Sequence, residues 1–254
     1  MALTQKRAAF FDVDNTLIHG SSLYFLGRGM YQRGFFTKAD ISRFVLANLR
    51  FRLTGKENKE EIIKFQNAAT DFIGGHDVAE IEAIGQEIYD EFVSPALWQG
   101  TIDIAGAHLA NGEEVWLVTA APEDMAILIA NRLGFTGALG SKATIKDGKY
   151  TGTLEGNLLH GAEKAVAITK LAAERDFDLA QCYSYSDSHN DLPLLRAVGK
   201  PNAINPDAIL QLRAMSEGWP IHEFRRGRKF SQIFGPLVSR LAAVLTWLRP
   251  RKSR

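Results

Sequence analysis

Apolar and polar positions along the chain fall into two alternating patterns. Residues 7–13, RAAFFDV, form a short continuous apolar run that ends on an acid. Such a run predicts a strand buried on both faces of a parallel sheet. Residues 114–119, EVWLVT, have the same form, and residues 181–187, QCYSYSD, give a third, more polar strand candidate. Helical patterns fill the intervals. After Thr119, the stretch AAPEDMAILIANRLGF puts Pro122 at the first helical position, Glu123 and Asp124 in the first turn and Gly134 at the stop. Residues 162–175, AEKAVAITKLAAER, predict another helix, as do residues 190–198, stopped by Gly199. Between them TIKDGKYTG carries Asp147-Gly148 flanked by alternating residues, a hairpin signal. Strands alternating with helices predict an α/β core.

Two stretches depart from that alternation. Residues 21–95 are mostly helical in pattern, with breaks at Gly34, Gly55 and Gly74-Gly75. They read as a helical insertion between the first and second core strands. Within residues 21–56, Tyr24, Phe25, Tyr31, Phe35, Phe36, Phe44 and Phe51 alternate with Arg28, Arg33, Arg43, Arg50 and Arg52. The plain reading is a cap core with solvated arginines; the functional one is a basic, aromatic surface that admits an anionic, partly apolar substrate. In residues 229–254, Phe230, Ile233, Phe234, Leu237, Leu241, Val244, Leu245 and Leu248 recur every three or four positions. That spacing makes one apolar helical face. It would dock on the chain's own core or a second copy, or lie in an anionic membrane surface.

The 254 residues are 46% hydrophobic and 23% charged, which excludes a disordered or fibrous chain and leaves room for a sizeable core. The single cysteine, Cys182, excludes an internal disulfide framework and cysteine-rich zinc sites and reads as a buried thiol. No run of about 18 apolar residues predicts a membrane span, and the N-terminal stretch does not read as a secretory signal. A cytoplasmic protein, or one peripheral at the inner face of the membrane, is expected. The net charge of +1 hides a split: residues 225–254 hold nine Lys/Arg and no acid, which leaves the body acidic. Nucleic acid is therefore not the expected partner.

The chemistry gathers at predicted strand ends. Asp12-Val13-Asp14-Asn15-Thr16 closes the first strand. While strand geometry persists, positions i and i+2 share a side about 6.5 Å apart. Two carboxylates there repel unless a metal or proton compensates, and a hard cation such as Mg²⁺ is the simple answer. Thr119, with Ala120, precedes a helix start, where a hydroxyl and free N–H groups make an anion site. The third strand ends in Asp187-Ser188-His189-Asn190-Asp191, and Lys164 opens a helix between them. In an open α/β sheet these ends converge on one crevice.

DVDNT, VTAAPE, Lys164 and SDSHNDLPLL resemble, in order and approximate spacing, the four motifs of the haloacid dehalogenase superfamily. The match spans roughly residues 8–205, and the KDGKYTGTLEG hairpin looks most like the phosphoserine-phosphatase-like branch. The resemblance implies a Rossmann-like parallel sheet flanked by helices, with a helical cap after the first strand. The catalytic core would be residues 1–19 and 96–224, the cap 20–95, and 225–254 a basic tail. The implied enzyme is a Mg²⁺-dependent phosphomonoesterase acting on a small phosphorylated metabolite. Asp12 would form an aspartyl-phosphate and Asp14 would serve as general acid and base. Mg²⁺ would sit on Asp12, the Asp14 carbonyl and Asp187. Thr119, Ala120, Lys164 and Asn190 would hold the phosphoryl group, with Asp191 steadying the metal shell or Lys164. Phosphoserine enzymes usually carry a Glu shortly after the first motif; here the stretch is His19-Gly20-Ser21-Ser22. They usually show Ser-Gly-Gly where this chain has Thr119-Ala120-Ala121. Two alternatives stand beside this reading: a membrane-associated phosphatase of a lipid-like phosphate, and a non-catalytic aspartyl-phosphate signalling protein. The latter resembles receiver domains, which lack an equivalent of Asp14.

Overall fold

The computed structural model describes residues 6–35 and 73–225. The chain divides into one unit, Met1–His222, and a second, Glu223–Arg254. The apolar face read in residues 229–254 lies outside the described residues, as do Phe36, Arg43, Phe44, Arg50, Phe51 and Arg52 of the aromatic, basic stretch.

Strand β1 (Ala8–Phe11) is wholly buried, as a continuous apolar run requires when both faces of the sheet are covered. It pairs in parallel with β2 (Glu114–Pro122) on one side and β6 (Tyr183–Ser186) on the other. β3 (Gly137–Ser141) lies beyond β2, while β7 (Lys200–Ile204) and β8 (Ile221–His222) lie beyond β6. The order β3-β2-β1-β6-β7-β8 is parallel throughout. From β1 the chain builds one half of the sheet and then crosses to build the other. The crevice outside the carboxyl ends at that reversal is where doubly wound sheets bind ligands.

Helices α1 (Ser22–Gln32) and α2 (Val78–Ile88) stand between β1 and β2 in the chain, as the insertion reading expects. They meet closely at Gly29, where a Cβ would sit 2.4 Å from the Ile88 side chain. Phe25 stacks on Phe92 and Arg28 lies over the Phe92 ring at 4.9 Å, while Arg33 pairs with Glu87 and Glu91. In the described part of that stretch Phe25 packs on Phe92, Tyr24 is exposed, and Arg33 is half-buried in its ion pairs. α3 (Gln99–Ala110) returns the chain to β2.

After β2, α4 (Glu123–Leu133) ends at Gly134 in the left-handed conformation. Strands β4 (Ala143–Lys146) and β5 (Lys149–Leu154) form the expected hairpin, with Asp147 and Gly148 both at positive φ in its two-residue turn. Its β5 strand also holds the segment leading into α2, through Gly75 N–H to the Tyr150 carbonyl at 2.7 Å and Tyr150 N–H to the His76 carbonyl at 3.1 Å. α5 (Ala162–Arg175) spans the predicted residues. The predicted 190–198 helix is a 3-10 turn, His189–Asp191, running into α6 (Leu192–Arg196). α7 (Ala208–Glu217) lies between β7 and β8.

Candidate active site

Phe11 pairs with Leu117 on one side and Tyr185 on the other, so Thr119 and Asp187, two residues further on, flank the end of β1. The Asp12 N–H donates to the Tyr185 carbonyl at 2.9 Å, so β1 delivers its carboxylate at a fixed height. Asp12 is 5% exposed. Its Oδ1 accepts from Lys164 Nζ at 2.6 Å and its Oδ2 from Thr16 Oγ1 at 3.1 Å. Lys164, in the first turn of α5 and 3% exposed, also donates to Asp191 Oδ2 at 2.7 Å. Ser186 Oγ donates to the same Asp191 oxygen at 2.8 Å. A buried ammonium thus joins two buried carboxylates brought from opposite ends of the sequence.

The strand geometry on which a shared side for Asp12 and Asp14 depends does not persist to Asp14. Strand geometry ends at Phe11, and Asn15 takes a left-handed φ of 57°. The chain then coils so that Leu17 and Ile18 N–H both donate to the Val13 carbonyl. Asp14 is carried to the start of α1. Its Oδ1 accepts from the Ser22 N–H at 2.8 Å and the Ser22 hydroxyl at 2.6 Å, and its Oδ2 from the Ser21 hydroxyl at 2.9 Å. The serines that stand where phosphoserine enzymes carry an acid are engaged in holding a carboxylate.

Thr119 does not end its strand as the sequence reading has it: β2 continues to Pro122, which caps α4. Val118 faces Leu139 and Pro122 faces Ser141, so Thr119, Ala120 and Ala121 bulge against Gly140 alone. Gly140 permits this: a Cβ there would lie 2.4 Å from the Glu123 Cα. Thr119 is buried, and its Oγ1 accepts from the Ala121 N–H at 3.1 Å, which fixes the hydroxyl. Asn190 is exposed at the rim, its N–H held by Ser188 Oγ at 3.2 Å.

The electrostatics are lopsided. Burial raises the Asp12 carboxyl to about 7, with Lys164 opposing and Asp191 and Asp14 adding to the rise. Burial raises Asp187 to about 8, helped by the charges of Asp12 and Asp191. Burial would depress Lys164, but Asp12 and Asp191 outweigh it and hold the ammonium above its usual range. From the usual 3.8 up to these raised values, the folded state keeps protons that the unfolded chain has lost. Stability must fall as pH rises through that window. In the presence of a chelator, the melting temperature is expected to drop steadily between pH 5 and pH 8. A flat or rising profile would show that these carboxyls are not strained by burial.

His19 stacks edge-on to Trp98 and takes no part in the cluster, and Cys182 is a buried thiol that accepts from the Ala8 N–H at 3.4 Å. Sequence reasoning gave no role to Thr16, Ser21, Ser22, Ser186 or Asp207. Thr16 carried a signal, since it stands four residues after Asp12 inside the first motif. The others become visible only once the loops are folded.

The haloacid dehalogenase-like hydrolase family matches residues 9–196. A Mycobacterium tuberculosis protein named phosphoserine phosphatase SerB1 is 47% identical over 237 residues, covering 93% of this chain and 77% of that one. A histidinol-phosphatase of Neisseria meningitidis is 30% identical over 224 residues, covering 87% of this chain and all of that one, 100%. A solved structure of a Bordetella pertussis protein of unknown function superposes with a TM-score of 0.78 at 28% identity, over 87% of this chain and 100% of that one. The parallel sheet, the helices inserted behind its first strand and the extent of these likenesses agree, and the chain belongs to the haloacid dehalogenase-like hydrolases, in their phosphoserine-phosphatase-like branch.

Proposed function

We propose that this chain hydrolyses a small phosphate monoester in two displacements at Asp12. The observation that carries the reading is the pair of separately held carboxylates. Asp12 is fixed by Lys164 and Thr16 at the crevice, and Asp14 is fixed one turn away by Ser21 and Ser22. In the first displacement an Asp12 oxygen bonds to phosphorus as the ester P–O bond breaks. The Asp14 carboxyl gives its proton to the leaving oxygen. In the second, the Asp14 carboxylate takes a proton from water, the water oxygen bonds to phosphorus, and the bond to Asp12 breaks. Inorganic phosphate leaves and both side chains return to their starting states. Thr119, the N–H groups at Ala120 and beyond, and Lys164 hold the phosphoryl oxygens, with Asn190 at the rim. Phosphoryl transfer asks mainly for this positioning and charge balance.

The residues fit Mg²⁺. Asp12, Asp187 and Asp191 crowd around one ammonium, and the raised Asp187 carboxyl marks a place short of positive charge. Among the described residues no three His, Cys, Asp or Glu side chains form a ligand cluster. Mg²⁺ keeps several waters and takes one or two carboxylates beside a substrate's phosphate. Asp12, Asp187 and the Asp14 carbonyl would hold it, and its charge would offset the repulsion between Asp12 and an incoming phosphate dianion.

Residues 1–19 and 96–224 are the catalytic core in this reading and residues 20–95 the cap. The basic, periodically apolar residues 225–254 suit an anionic membrane surface at the cytoplasmic face, and among the described residues no helix is long and apolar enough to cross a membrane. The test is phosphate release with Mg²⁺ from phosphoserine, histidinol phosphate and lysophosphatidate, each with and without anionic vesicles. Turnover of one soluble ester, indifferent to vesicles, supports the metabolite reading. Turnover only of the lipid on vesicles transfers it to a membrane phosphatase. No release from any ester by folded, Mg²⁺-loaded protein overturns the reading.

A further inference from the structure

The loop after β7, Asn205-Pro206-Asp207, lies beyond the stretch that matches the family, yet it grips both catalytic loops. Asn205, at a left-handed φ of 47°, donates from Nδ2 to the Asn15 carbonyl at 3.3 Å, next to Asp14. The Asp207 N–H donates to the Asp187 carbonyl at 2.7 Å. Asp207 Oδ2 accepts from the His189 N–H at 2.9 Å and the His189 Nδ1 at 2.8 Å; a carboxylate only accepts, so the ring nitrogen is the donor. Its other oxygen, Oδ1, accepts from the Leu210 N–H at 2.8 Å and caps α7.

We infer that Asp207 is a positioning residue for Asp187: it clamps the 187–189 loop to the rigid start of α7 and so fixes the carboxylate that holds the metal ion. The inference rests on the proposed role of Asp187. Asp187 follows β6 by one residue and opens a turn that no strand pairing holds. Three hydrogen bonds to Asp207, one from its N–H to the Asp187 carbonyl and two from His189 to its side chain, hold the backbone of that turn in place. Partners that orient a ligand in this way commonly change metal affinity by about 10- to 100-fold.

Asp207→Asn separates the clamp from the cap. The amide oxygen can still accept from Leu210, but its NH₂ then faces the two His189 donors. Mg²⁺ binding to the full-length protein is measured by calorimetry, alongside the melting temperature. The expected result is a rise of about tenfold in the Mg²⁺ dissociation constant. Ala214→Gly, which weakens α7 far from His189, should lower the melting temperature and leave Mg²⁺ binding as it was. Wild-type affinity in Asp207→Asn overturns the inference, as does an Ala214→Gly variant that loses Mg²⁺ equally. If Asp207→Asn does not fold, His189→Ala removes the ring donor alone and must still weaken Mg²⁺ binding; unchanged affinity there overturns the inference too. Failure of the underlying reading looks different: the wild type, or an Asp187→Asn variant set beside it, would show that Asp187 binds no Mg²⁺ at all.

Discussion

Asp12→Asn is expected to lower kcat by roughly four orders of magnitude or more, while the melting temperature at pH 7 stays close to that of the wild type. The substitution keeps the shape of the side chain and replaces a nucleophilic oxygen with an amide. A fall of that size is about 5 kcal/mol of lost transition-state stabilisation. The fold should tolerate it because the amide carries no charge to bury. Asp12 is almost fully buried, and burial already disfavours its ionised form. The Asn oxygen can still accept from Lys164 and the amide NH₂ can donate to the Thr16 hydroxyl, while Lys164 keeps its pair with Asp191. Steady-state kinetics, a thermal melt and intact mass after quenching with substrate decide the matter. The wild type should show a covalent phosphoryl adduct and the variant none. A variant that kept more than a few per cent of turnover would place the nucleophile elsewhere and leave Asp12 an electrostatic role only.

How legible the structure was follows from where each signal resides. β1, β2 and α5 could be read because an unbroken apolar run or an uninterrupted 3.6-residue pattern is a property of neighbouring residues. β3 could not, because its sequence is GALGS and carries little strand propensity. Gly140 is there for a reason outside the strand, the close approach of Glu123. β7 reads KPNAI, and a proline in a strand with neighbours on both sides argues against a strand at all. Two-residue β8 has no pattern to find. In the site, the strand-end carboxylates were legible because a doubly wound sheet gathers its carboxyl ends. The hold of Ser21 and Ser22 on Asp14 was not, since it depends on the left-handed turn at Asn15 and on where α1 begins. Asp207 was invisible for a similar reason. Nothing local links it to His189, 18 residues away, until β6 and β7 lie side by side.

Replacing Lys164 should have the largest combined effect on stability and catalysis. Lys164→Met keeps the length and the apolar stem but removes the one buried ammonium shared by Asp12 and Asp191. Breaking a buried ion pair from one side typically costs about 3–5 kcal/mol, because the remaining charge has neither partner nor water. For a chain of this size that is a fall of roughly 6–20 °C in melting temperature at neutral pH. The sign with pH follows from the partner. Asp12 is already raised by burial with Lys164 opposing, and removing the opposition raises it further. The stability Asp12 leaves intact when protonated is therefore fully present in acid and lost as pH rises. The gap between variant and wild type should close towards pH 5 and widen towards pH 8, and Mg²⁺ should narrow it again. Catalysis falls for a separate reason: the phosphoryl oxygens lose a positive charge at the moment negative charge must be held, a loss of about 10²- to 10³-fold for a single such donor. Arginine should not restore it, because a planar guanidinium does not fit between two carboxylate oxygens that approach one nitrogen at 2.6 and 2.7 Å. A Lys164→Met protein as stable as the wild type at pH 8 in chelator would mean that the ammonium does not hold the folded state together, and it would then have to act on substrate alone.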